Sequence, residues 1–205
     1  MVAAKHVKHA FIIMLVLSML ALLTGCPDYK DEDAVLVGNI KYCKTNDGKA
    51  IVYSAVWDGN PENTVFEIPD TYEGRPIFSL GGTVAGFMVE TTDRYSYNSE
   101  QIWSKDSTQP ESVDWNKVEH KDVVFTLKLG KNVTRIRSPY ASPAPNYLVF
   151  KNDDGFILYR VLFNVECSKE NEYYTSENGM LYRIVNHELV NELPYASAIL
   201  KEPAE

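Results

Sequence analysis

The stretch Val123-Val-Phe-Thr-Leu-Lys-Leu-Gly-Lys-Asn-Val-Thr-Arg-Ile136 contains a strand, a turn and a second apolar pair within a few residues. Phe125, Leu127 and Leu129 alternate with polar residues, which predicts a short strand with one apolar face. Gly130 ends that strand, and two apolar residues follow at a spacing of three, which predicts a tight coil that folds back onto it. One such unit cannot close a core, so the pattern predicts neighbours of the same design stacked on it.

A second copy of the unit lies upstream, in residues 65–80. There too an alternating strand is stopped, in this case by Pro69, and an apolar pair follows at a spacing of three. We expect the apolar positions of both units to share one core. These positions are Phe66, Ile68, Ile77 and Leu80 in the first unit and Phe125, Leu127, Leu129, Val133 and Ile136 in the second.

Two continuous apolar runs, residues 147–150 and 156–163, predict strands that are buried on both faces. Two hairpins are predicted to cap the stack. The first runs through residues 36–57 around the turn Thr45-Asn-Asp-Gly48, and the last pairs residues 180–184 with residues 188–193. Each would cover an apolar end and an open strand edge.

At these positions the chain resembles the BspA-like leucine-rich repeats of bacterial surface proteins. The resemblance covers roughly residues 38–195, but the Ala-Phe helical turn of that family is missing after both units. It implies a mainly β fold, a short irregular leucine-rich-repeat-like right-handed solenoid with capping β-hairpins and little helix. The matching segments are Ile68-Pro69, Tyr72, Gly74-Arg75, Ile77, Leu80-Gly81, Leu129-Gly130, Asn132-Val133-Thr134, Ile136 and the closing stretch 170–194.

The N-terminus predicts export and lipid attachment. Residues 1–25 combine two lysines with an uncharged apolar run that is shorter than the roughly 20 residues needed to span a bilayer. Leu23-Thr24-Gly25-Cys26 resembles a lipobox, which implies a lipid on Cys26 and a protein exposed on the cell surface. The alternative is an ordinary secretory signal that happens to precede a cysteine. An acidic tether, residues 26–37, would then lead into a domain over residues 38–205.

The charge of the chain argues against a nucleic-acid partner. Removal of residues 1–25 takes away two of the 20 basic residues and none of the 28 acidic ones, which leaves a net charge near −10. Nucleic acid rewards basic clusters through counterion release, and no such cluster follows the signal.

An insertion, residues 81–122, separates the two units and carries the candidate binding residues. Loops between repeats often project from one face and bind partners. Exposed aromatic rings there could stack on sugars or anchor a protein, or they could pack the insertion onto the scaffold. The aromatic residues are Tyr95, Tyr97, Trp103 and Trp115.

No motif in the sequence predicts catalysis, a metal or a cofactor. The two histidines beyond the signal, His120 and His187, lack the spacing of a zinc site, and no nucleophile elbow or phosphate loop is present. Asp153-Asp154-Gly155 favours a hairpin turn over a calcium loop. Cys43 and Cys167 could form a disulfide in an exported chain, but two free thiols are favoured because they fall towards opposite ends of the predicted stack.

Two functions fit these expectations. The first is a non-enzymatic, lipid-anchored surface protein for binding or adhesion. The second is a glycan-binding accessory lipoprotein of a surface polysaccharide-uptake system.

Overall fold

The computed structural model describes residues 33–82, 86–98, 100–137 and 146–199. The protein is mainly β, as predicted, and its described ranges include a 3-10 turn (Trp115–Lys117) and a four-residue helix, α1 (Ala196–Ile199). The strands are β1 (Val35–Val37), β2 (Ile40–Lys44), β3 (Ala50–Trp57), β4 (Val65–Ile68), β5 (Thr71–Tyr72), β6 (Arg75–Leu80), β7 (Met88–Thr91), β8 (Tyr95–Asn98), β9 (Gln101–Ser104), β10 (Glu119–Leu129), β11 (Arg135–Ile136), β12 (Tyr147–Lys151), β13 (Phe156–Cys167), β14 (Tyr174–Glu177) and β15 (Met180–Arg183).

The strands of the two repeat units lie side by side in a four-stranded sheet with the order β12-β13-β10-β4. β4, β10 and β13 are parallel, so Phe66, Leu127 and Val165 form one row across the sheet. All three are buried, because their side chains point to the core. β12 and β13 form an antiparallel hairpin around Asp153-Asp154-Gly155, which confirms the predicted turn.

The second sheet has the order β1-β2-β3-β6-β11, with β5 paired to β6 and β7 paired to β3. The predicted first hairpin is present as β2 and β3, and Gly48 provides the positive φ of its turn. A bulge at Tyr53 shifts the inward face of β3 from Ala50 and Val52 to Ala55 and Trp57.

The core lies between these two sheets. Trp57 of β3 packs edge-on against Phe125 of β10, with 5.4 Å between ring centroids, and Phe87 meets Phe163 at 6.0 Å. Every apolar position predicted from the two repeat units is buried in this single core, which confirms the predicted register.

The turns that follow β4, β10 and β13 pack on one another, and we call them the stacked turns (residues 69–70, 130–132 and 168–171). The backbone amide of Lys131 donates to Asp70 Oδ1 over 2.8 Å, and the amide of Ser168 donates to the Leu129 carbonyl over 2.9 Å. A Cβ at Gly130 would lie 2.8 Å from Asp70 Oδ1 and 2.9 Å from the Ile68 carbonyl oxygen. The glycine is therefore required by space as well as by its role in ending the strand.

Asn171 joins the closing segment to the stacked turns. Its side chain is 4% exposed and makes four hydrogen bonds, which satisfies its full capacity. Nδ2 donates to the carbonyls of Gly130 and Val133 over 3.0 Å each. Oδ1 accepts from the amides of Tyr173 and Tyr174 over 2.9 Å each.

The closing segment agrees with the prediction in part. Residues 180–183 form a hairpin with β14, because Asn178 and Gly179 both adopt positive φ and form a two-residue turn between β14 and β15. Residues 188–190 also pair antiparallel with residues 181–183, as predicted, through a bridge between Tyr182 and Leu189 and two flanking backbone hydrogen bonds: the Arg183 amide donates to the Glu188 carbonyl over 2.8 Å, and the Val190 amide donates to the Leu181 carbonyl over 2.9 Å. Leu181 and Leu193 are buried in the core, as expected.

The two sheets are mixed and one of them curves into a half-barrel, so the predicted solenoid is not shown. The insertion also reaches into the main sheets, since β7 joins β3 and residues 119–122 begin β10. Residues 1–32 and 138–145, which include the predicted signal, Cys26, most of the predicted tether and a proline-rich segment, lie outside the described residues.

Cys43 and Cys167 do not form a disulfide with each other, as favoured from the sequence. Cys167 is half-buried, and its Sγ lies 3.3 Å from the Tyr174 carbonyl oxygen. Burial raises the pKa of the Cys167 thiol to about 11.

Candidate functional site

The hairpin of β8 and β9 determines which way three of the aromatic side chains of the insertion face. Tyr95 and Tyr97 lie two residues apart on β8 and therefore share a face with Ile102, the cross-strand partner of Tyr97. Ile102 is fully buried. The side chain of Trp103 points to the opposite face, and its backbone forms a β-bridge with Pro110.

The inward face of this hairpin packs onto the outer face of β12 and β13. Ile102 joins Val149, Phe156 and Leu158 in a second, smaller hydrophobic cluster. The Tyr95 ring meets Phe156 edge-on at 5.1 Å. Two aromatic residues that sequence analysis assigned to partner binding, Tyr95 and Tyr97, thus also attach the insertion to the sheet.

Tyr97 and Tyr147 are partly buried and Trp115 is exposed; their rings form a partly exposed aromatic surface, and we call these three residues the aromatic ridge. The ring centroids of Tyr97 and Tyr147 are 5.2 Å apart, and those of Tyr97 and Trp115 are 6.4 Å apart, in edge-on arrangements. Trp115 is 44% exposed. Burial raises the pKa of the Tyr97 hydroxyl, and the nearby Glu100 and Tyr147 raise it further.

Trp115 owes its position to the 3-10 turn that precedes β10. Asp114 caps this turn, since its side chain accepts a hydrogen bond from the Asn116 amide over 3.2 Å. No residue of the turn is buried. The turn thus presents the indole at the surface without using it for packing in the main core.

A groove of about 400 Å³, which we call the polar groove, lies on one side of the ridge. Asp122 on β10 and Arg160 on β13 are register partners and form a bidentate ion pair across this groove. Arg160 Nε donates to Asp122 Oδ1 and Nη2 donates to Oδ2, each over 2.8 Å. These hydrogen bonds lower the pKa of Asp122. The polar groove is lined by His120, Lys121, Asp122, Tyr147, Leu158 and Arg160.

A second groove, of about 300 Å³, runs along the other side of β12. Tyr147 lines both grooves, and Tyr97 lines this one together with Glu90, Lys105 and Asn146. The aromatic ridge therefore borders two clefts that combine ring surfaces with hydrogen-bonding groups.

The sequence identified two of the three residues of the aromatic ridge, Tyr97 and Trp115. Tyr95 lies next to them and lines the second groove, whereas Trp103 lies on the opposite face of the β8–β9 hairpin. The predicted lipid attachment residue, Cys26, lies outside the described residues. Tyr147, Asp122 and Arg160 carry no local signal, because they meet only through strand pairing between residues far apart in the chain.

Within the described ranges, no three histidine, cysteine or acidic side chains come close enough together to hold a metal ion. In the same ranges, no helix has both the length and the apolar composition to cross a membrane.

Comparisons with protein-family models, with curated proteins and with solved structures give no significant match. The geometry of the site and the pattern of the sequence are therefore the basis for a function.

Proposed function

We propose that this protein is a lipid-anchored bacterial surface protein that binds a partner through the aromatic ridge and performs no chemistry on it. The observation that carries the proposal is the aromatic ridge itself, in which Trp115 is half-exposed and Tyr147 lines the polar groove. Exposed aromatic residues bordered by polar groups are typical of binding surfaces. The lipobox-like sequence around Cys26 supports the anchor.

We also propose that the scaffold is a short, irregular solenoid of the BspA-like type. Its support is the parallel pairing of β4, β10 and β13 in one sheet and of β6 and β11 in the other. Each passage from one sheet to the other and back would be one coil. Parallel crossovers of this kind are right-handed in about 98% of cases.

A second candidate function, glycan binding for a surface polysaccharide-uptake system, is favoured by the chemistry of the polar groove. A sugar ring presents an apolar face to an aromatic ring and hydroxyl groups at its edge. Asp122 supplies hydrogen-bond acceptors and Arg160 supplies donors, while their charges cancel. Together with the net negative charge of the chain, this pairing favours neutral glycans over acidic ones.

Binding of the purified full chain to an array of neutral polysaccharides and to immobilised host extracellular proteins distinguishes the two functions. Glycan binding that falls at least tenfold in Trp115→Ala supports the second function. Protein binding with the same sensitivity, and without glycan binding, supports the first.

Tyr173→Ala is the matched control, because Tyr173 is 52% exposed but lies by the stacked turns, away from the ridge. Equal losses of binding in the two variants would contradict both functions at this site. The anchor is tested separately, since Cys26→Ser should abolish palmitate labelling and release the protein from the membrane. Absence of palmitate label from the wild-type chain would contradict the anchor.

A further inference from the structure

The edges of β4 and β10 in the four-stranded sheet differ from the edge of β1 in the other sheet in how they are protected against pairing with another chain. Unpaired strand edges attract other strands, and proteins usually guard them with charges, prolines or bulges. The unpaired part of β10 carries Glu119, Lys121 and Asp122, and β4 carries Glu67 and is followed by Pro69. Both of these edges are therefore protected by charged residues, and β4 also by the proline that follows it.

β1 contains no charged residue, no proline and no bulge. It pairs only with β2 among the described residues, so its second edge is open. Its three residues are Val35, Leu36 and Val37, which are 50%, 50% and 51% exposed. A strand whose side chains are apolar and half-exposed on both faces is unusual at the end of a sheet.

The pattern of β1 is complementary to itself. If two copies pair antiparallel with Leu36 on the two-fold axis, Val35 of each copy lies opposite Val37 of the other and Leu36 lies opposite Leu36. The pairing would join two sheets edge to edge and cover the apolar side chains of both strands. No charged residue of β1 would be buried in the process.

The position of β1 in the chain favours a second copy over other partners, an argument that rests on the proposed lipid anchor. Eight residues lie between Cys26 and Val35, and the nine Cα-to-Cα steps that join them span at most about 30 Å when extended. All anchored copies would thus carry β1 at a similar height above the membrane. Confinement to the membrane also raises the effective concentration of a short, weak contact.

We propose that β1 pairs antiparallel with β1 of a second copy of this chain, and that anchored copies form two-fold symmetric dimers on the membrane. The dimer is weak in solution, because a three-residue strand offers few hydrogen bonds and the net negative charge of the chain repels a second copy.

Disulfide cross-linking of the full chain in membranes of an expressing bacterium tests the pairing. Residues that face each other across an antiparallel pair have Cα atoms about 4.5–5.5 Å apart, which suits a disulfide. Leu36→Cys should therefore give a disulfide-linked dimer on oxidation with copper–phenanthroline. Val185→Cys is the control for random collision, since Val185 is 90% exposed and distant in sequence from β1.

At least tenfold more dimer from Leu36→Cys than from Val185→Cys, with less from Val35→Cys, supports the proposal. Equal yields from positions 36 and 185 would overturn it, and so would a Leu36→Cys adduct with a different protein. Palmitate labelling of the same cells separates this result from the anchor. A labelled chain without the position-36 dimer refutes the pairing alone, whereas a dimer without label supports the pairing and refutes the anchor.

Discussion

The stacked turns around Gly130 and the aromatic ridge around Trp115 use their side chains in opposite ways. At the stacked turns, Asn171 is buried and all four of its hydrogen-bonding positions are occupied by backbone groups of the protein. At the ridge, Trp115 is half-exposed and Tyr147 lines two open grooves. The difference indicates that the stacked turns maintain the fold and that the ridge is available for a partner.

The largest effect should come from a charge placed in the row shared by β4, β10 and β13. Leu127→Asp would bury an unpaired carboxylate at a fully buried position and should cost on the order of 4 kcal/mol or more, enough to unfold much of the domain. Circular dichroism during chemical denaturation measures this loss.

Lys128→Gln is the control for that experiment. Lys128 is exposed and lies in register between Glu67 and Glu166, so a neutral substitution avoids the repulsion that an acidic one would add. The stability of Lys128→Gln should stay close to that of the wild type. Similar losses at positions 127 and 128 would mean that the inward register of β10 is wrong.

A smaller loss is expected from Asn171→Ala. The substitution leaves two carbonyls and two amides without their partner at a buried site, and we expect a cost of about 2–4 kcal/mol. Asn186→Ala removes an exposed asparagine from a loop and should have little effect. If both variants unfold at the same denaturant concentration, the stacked turns are not where the closing segment is held.

Features of the fold that depend on neighbouring residues could be predicted from the sequence, whereas features that depend on pairing between distant residues could not. The alternation of Phe125, Leu127 and Leu129 and the break at Gly130 were predictable, because each depends on residues that are neighbours in the chain. The antiparallel contact between residues 181–183 and 188–190 was predictable in the same way, whereas the pairing of β15 with β14 around Asn178-Gly179 was not predicted. The bulge at Tyr53 changes which residues of β3 face the core, and no feature of the local sequence predicts this bulge.

The polar groove could not be predicted for a related reason. Asp122 and Arg160 are separated by 38 positions and become partners only when β10 and β13 pair in parallel. The sequence likewise could not tell which aromatic residues of the insertion would face the sheet. That choice is made by the register of β8 and β9, which places Tyr97 opposite Ile102 and Trp103 opposite Ser96.

The pH dependence of stability should reveal the half-buried Cys167. Its folded-state pKa of about 11 lies above that of an unfolded thiol, so the stabilisation is complete below about pH 8.5 and is lost as pH rises towards 11. Cys167→Val removes this titration and fits a strand. Between pH 8 and pH 10 the wild type should lose about 1–2 kcal/mol more than Cys167→Val. Parallel pH profiles would show that the thiol is not held in an apolar environment.

The smallest effect on stability is expected at the ridge. Trp115→Ala should change the free energy of unfolding by less than about 1 kcal/mol, because the indole is half-exposed and its turn buries no residue. Differential scanning calorimetry measures the change. A loss as large as that of Asn171→Ala would assign Trp115 to the core and weaken the proposal that it binds a partner.

Native-state amide hydrogen exchange of the full chain compares the two regions directly. Residues 125–129 of β10 and 163–167 of β13 should be the slowest to exchange and should open only with global unfolding. The β8–β9 hairpin should exchange through a local opening of lower free energy, because it rests on the smaller hydrophobic cluster. Equal protection of β8–β9 and β10 would contradict the proposed difference between the strands that lead into the stacked turns, which stabilise the fold, and the hairpin that carries part of the aromatic ridge.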